Sequence, residues 1–96
     1  MDVEVSGNKV VITGNIKGMA DLQKLKAVVD PMVASSKDIV LDVRDSLSMT
    51  SSVIGYLNKL VLKDGVNIVM QVGSSQLMSL LEDLNLKSTF NAVKSR

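Results

Sequence analysis

The chain has 96 residues, 46% of them hydrophobic, and contains no histidine, cysteine or tryptophan. This suits one small domain with a single core, residues 1–96, and excludes a Ser-His-Asp triad, a cysteine nucleophile, a His/Cys zinc site and any internal disulfide. The 11 basic and 10 acidic residues are scattered, the net charge is +1, and with one Tyr and one Phe nothing points to nucleic acid or an anionic membrane surface.

The opening "MDVEVSGNKV" begins with an acid and alternates, unlike a secretory signal, and later apolar runs fall short of the ~20 residues that cross a bilayer. A cytoplasmic protein without membrane insertion is expected. "VEVSGNKVVITG" reads as a hairpin: Val3 and Val5 alternate with polar residues, Gly7-Asn8 supplies the turn, and the run from Val10 is β-branched. From Asp21 to Val33 the residues Leu22, Leu25, Val29, Met32 and Val33 recur at helical spacing. Pro31 removes a backbone bond and disfavours helix at Asp30, predicting a kink or a short final turn capped by Asp30.

"DIVLDV", Asp38 to Val43, and "VNIVMQV", Val66 to Val72, are short apolar runs with little alternation, as expected for strands covered on both faces. Lys63-Asp64-Gly65 ends the helix between them. "SSQLMSLLEDLNL" offers Ser74 or Ser75 as a cap and Leu77, Leu80, Leu81 and Leu84 at i, i+3, i+4 and i+7; Asn85 tolerates the left-handed turn that closes this helix before Phe90 and Val93 return to the core. The order is β-β-α-β-α-β-α with a short final strand near Thr89 to Val93, an α/β fold with a mixed sheet flanked by helices. Leu57, Leu60, Leu77, Leu80 and Leu81 are expected to be buried, with Met19, Met32, Met49, Met70 and Met78 as core filling.

Few residues look reactive. Asp42 and Asp45 make a poor two-carboxylate Mg²⁺ site, and Asp42 is expected to bond loop backbone instead. The glycines form turns rather than a phosphate-cradling motif. That leaves Ser48, Thr50, Ser51 and Ser52, set against the first apolar turn of the second helix, where a hydroxyl is most often a cap.

The segment "IVLDVRDSLSMTSSVIGYL" resembles the signature of STAS domains, the family of bacterial anti-sigma-factor antagonists: a strand of the form hhLDL, a short loop, then D-S-S-G-h-G-x-h. "GVNIVMQVGSSQLMSLLEDLNLKSTF" resembles the strand, cap, leucine-rich helix and closing Phe of the same family, and the likeness runs from about Val10 onward. Thr50 stands where the family usually has Asp and Val53 where it usually has Gly; Ser51, Ser52, Ile54 and Gly55 keep the pattern. The resemblance implies a non-catalytic module of signal transduction and transcription regulation that switches partners. Its partners would be a serine kinase that is also an anti-sigma factor and a serine phosphatase. By position the phosphorylated residue is Ser52, with Ser51 and Thr50 as secondary candidates.

A helix start also tolerates phosphate, because its free N–H groups and dipole favour negative charge. Projected around that helix, Ser52, Tyr56, Lys59 and Lys63 form a stripe bordered by Leu62, outside the apolar arc of Val53, Ile54, Leu57, Leu60 and Val61. This stripe is the expected docking surface. A second reading keeps the fold without phosphorylation: a STAS-type subunit bracing the ATPase of a bacterial lipid transporter, docked permanently through the same helix face. No enzyme activity, catalytic residue, metal or cofactor is expected, and the oligomeric state is open.

Overall fold

The computed structural model describes residues 1–95. The elements in chain order are β1 (Asp2–Ser6), β2 (Lys9–Thr13), α1 (Met19–Ser35), β3 (Asp38–Val43), α2 (Ser51–Leu62), β4 (Asn67–Val72), α3 (Ser75–Asp83) and β5 (Ala92–Lys94). The short last strand thus lies nearer the C-terminus than the expected Thr89 to Val93. All five strands form one mixed sheet in the order β1-β2-β3-β4-β5. β1 and β2 pair antiparallel around Gly7, whose φ of 61° a side chain resists, and the remaining pairs are parallel.

Each helix carries the chain one strand further in the same direction. Right-handed crossovers of that kind put every helix on the same side of the sheet. Burial agrees: Val10, Ile12, Ile39, Leu41, Val43, Ile68, Met70, Val72 and Ala92 are enclosed together with Leu25 and Val29 of α1, Val53, Leu57 and Leu60 of α2, and Leu77 and Leu81 of α3. On the opposite side Val11, Val40 and Val69 are only half-buried. β3 and β4 are therefore covered on one face, not on both as their apolarity suggested. Val93 also leaves the expected core, being 48% exposed on the bare side, while Phe90 is fully enclosed.

Three further expectations change. Leu80 is half-buried and packs on the rim of the core, because the helix turns Leu77 and Leu81 inward instead. Met19 is exposed at the first turn of α1. Pro31 lies inside α1, which runs through to Ser35, and Asp30 does not cap a final turn. The proline is tolerated because it and Ala27, whose carbonyl loses its partner, both face water. At the end of α3, Asn85 adopts φ 57° and closes the helix as its sequence position suggested.

Candidate functional site

The loop from Arg44 to Thr50 is built on side chains from both of its ends. Asp45 accepts the Gly14 N–H at 2.6 Å, and buried Ser46 accepts the Ile16 N–H at 3.2 Å while donating to the Ser48 carbonyl at 2.6 Å. Asn15 returns the contact by accepting the Leu47 N–H at 3.0 Å. These bonds tie the β3–α2 loop to the β2–α1 loop, and so fix where α2 begins. Sequence reasoning missed Asp45 and Ser46 in this role. Their signal was weak: both stand next to the strand end, but the residues they bond lie some thirty positions earlier.

Thr50 is the cap of α2, its Oγ1 accepting the Val53 N–H at 3.3 Å. The helix begins at Ser51, so Ser51 and Ser52 occupy its first turn, where both are exposed. Among the described residues neither hydroxyl has a protein hydrogen-bond partner. A cleft of about 470 Å³ borders this helix start, with Lys17, Leu47, Ser48, Thr50 and Gln76 among its walls. Val53, at the position where the resemblance would have glycine, is fully buried and anchors the helix rather than facing a partner.

The expected stripe is brought together only in part. Ser52, Lys59 and Lys63 are exposed, and Leu62 is 71% exposed beside them. Tyr56, in contrast, turns toward α1. Its hydroxyl donates to Asp30 Oδ1, and Lys26 lies over its ring, with Nζ 5.4 Å from the centroid. Tyr56 is half-buried against the core, and burial, then the Asp30 bond and charge, then Asp64 hold its phenol well above its ordinary pKa. It braces α2 against α1 and is not a free contact residue.

The two carboxylates weighed as metal ligands are engaged separately. Asp45 holds the loop, whereas Asp42 faces the bare side of the sheet, with Arg44 Nε 3.3 Å and Lys9 Nζ 3.7 Å from its Oδ2. The expectation that Asp42 bonds loop backbone fails because it lies within β3, one residue before the strand ends, where cationic side chains and not loop N–H groups are within reach. Among the described residues no group of three or more acidic, His or Cys side chains gathers at one point, and no helix is long and apolar enough to cross a membrane. No protein-family model, curated protein or solved structure matches this chain.

Proposed function

We propose that this chain is a non-catalytic partner-switching module of the kind its STAS resemblance implies, with the exposed face of α2 as the docking surface and Ser52 as the switch. The observation that carries the reading is the division of labour at the helix start. Thr50 fills the cap, so the Ser52 hydroxyl stands exposed and uncommitted on the first turn.

Phosphate at that point would meet the positive end of the helix dipole and leave the fold intact. It would also add a charge of about −1.5 to −2 at the N-terminal end of the helix face that carries Lys59, Leu62 and Lys63. A partner shaped to the free hydroxyl would then have to desolvate that charge on docking, which weakens the complex.

The test is to incubate the protein with its co-encoded serine kinase and ATP, map the modified peptide, and measure binding by calorimetry. Phosphate on Ser52, retained binding by Ser52→Ala after kinase treatment and weaker binding by Ser52→Asp are the expected results. Phosphate on Ser51 or Thr50 would move the switch within the loop. An unmodified peptide together with unchanged binding by Ser52→Asp would remove the switch altogether. A second reading, a permanently docked subunit of a lipid-transporter ATPase, is favoured by Leu62, whose large apolar exposure suits a lasting interface better than a reversible one.

A further inference from the structure

The sheet ends on one side in β1, whose outer edge pairs with no strand among the described residues. The register decides which of its backbone groups are free. β2 directs the Asn8 and Ile12 carbonyls to β3, where they accept the Val40 and Arg44 N–H groups at 2.9 and 3.1 Å, so Lys9, Val11 and Thr13 face β1. Their partners Ser6, Glu4 and Asp2 bond inward, as a two-residue turn at Gly7-Asn8 also requires. The N–H and C=O groups of Val3 and Val5 therefore point outward along the open edge.

The two flanks of that edge differ in chemistry. On the helix side Val3 packs against the core, and Val5, 52% exposed, forms one wall of a cleft of about 400 Å³ with Val28, Pro31, Met32 and Ser35 of α1. α1 turns Lys26 and Asp30 toward Tyr56 of α2 and its other flank toward β1, where Lys24 donates to the Met1 carbonyl at 2.9 Å. On the bare side stand Asp2 and Glu4, both exposed and, among the described residues, in no ion pair. The edge thus alternates between valines on the cleft side and acids on the other.

We propose that β1 takes up an extended segment of a partner protein as a sixth strand, a segment in which apolar and basic residues alternate. Residues opposite Val3 and Val5 exchange backbone bonds with them and place apolar side chains on the helix side, the one opposite Val5 reaching the cleft. Residues opposite Asp2 and Glu4 set basic side chains beside the acids, an arrangement that favours pairing. A second copy of this chain does not fit. The antiparallel register that uses both valines sets Glu4 directly against Glu4, and like charges so placed destabilise the pair. The edge shares no residue with the docking face of α2, so the proposal does not depend on the function proposed for Ser52.

The probe is an end-blocked heptapeptide of alternating valine and lysine, titrated into the ¹⁵N-labelled protein while its amide spectrum is followed. Saturable shifts should centre on Asp2 to Ser6 and on Val28 and Met32, with slowed amide exchange at Val3 and Val5. A peptide of alternating valine and glutamate should bind at least about tenfold more weakly, because two favourable cross-strand charge pairs become repulsive. Asp2→Lys combined with Glu4→Lys should reverse that preference. Val5→Pro removes an outward N–H that the sheet does not use, so it should leave the fold in place and weaken the lysine peptide about tenfold. Absence of saturable shifts at β1, equal affinity for the two peptides, or unchanged binding by a folded Val5→Pro protein would overturn the site; should that variant not fold, the charge reversal decides. A dimer in which Val3 and Val5 amides are protected without peptide would assign the edge to a second copy and equally overturn it.

Discussion

Gly73, just past β4, lies closer to a neighbouring backbone segment than any other glycine of the chain, and adding one methyl there tests the packing of the whole sheet end. The Cβ of an alanine would fall 1.9 Å from the carbonyl oxygen of Arg44 and 2.9 Å from its carbonyl carbon. The obstacle is backbone, so no side chain can swing aside. Ordinary contact begins at about 3.4 Å, and the segments would have to part by roughly 1.5 Å. That displacement breaks the bond from the Gly73 N–H to the Val43 carbonyl, now 2.9 Å. Losing it costs ~1 kcal/mol net, and overpacking adds ~1–3 kcal/mol, so Gly73→Ala is expected to destabilise by ~2–4 kcal/mol. With a urea slope of ~1 kcal/mol/M for a chain of this size, the unfolding midpoint followed by circular dichroism should drop by ~2–4 M. Gly55→Ala is the control: nothing lies within 4 Å of its added Cβ, and it sits within α2. It should stabilise by ~0.5–1 kcal/mol. A Gly73→Ala protein that melts within ~0.5 kcal/mol of wild type, the range of surface changes, would refute the close approach.

Leu81→Ala should cost ~2–5 kcal/mol in the same melts because Leu81 is fully enclosed, whereas half-buried Leu80→Ala should cost clearly less; equal losses would mean that α3 is rotated. Thr50→Ala should lose ~1 kcal/mol with the cap, while Ser52→Ala should stay within ~0.5 kcal/mol, and the reverse order would make Ser52 the cap. Tyr56 holds its proton more tightly when folded than the ordinary value of 10.0, so its contribution is present below that pH and is lost as pH rises above it. Urea midpoints measured from pH 9 to 11.5 should therefore fall more steeply for wild type than for Tyr56→Phe; parallel curves would mean that in solution Tyr56 is neither buried between the helices nor bonded to Asp30.

Most of the secondary structure was legible because it rests on local pattern. The Leu77–Leu81 spacing, Asn85 after α3 and the β-branched run after Gly7 each specify an element without reference to the rest of the chain. What the pattern does not contain is the side from which a strand is covered. "DIVLDV" is equally apolar whether one face or two are enclosed, and the answer depends on the direction of three successive crossovers. Asp42 was accordingly misplaced: its position in the strand was visible, but its partners Lys9 and Arg44 come from the neighbouring strand and the strand end. The helix start at Thr50 was readable from residue type, whereas Tyr56 was not. Its helical projection left it outside the apolar arc, and only the packing of α1 against α2 brings Asp30 and Lys26 to it.

The strands lie side by side in the order in which a ribosome would deliver them. After the first hairpin, each new strand joins the free edge left by the one before, and none must be inserted between two already in place. The sheet can therefore grow during synthesis, at the ~5–20 residues per second of translation, with the next βα segment supplying both the new edge and the helix that covers it. The final strand is three residues long. Between the emergence of Val72 and that of Lys94, the nascent domain shows a complete but unprotected β4, an edge on which neighbouring chains on one message can pair with each other.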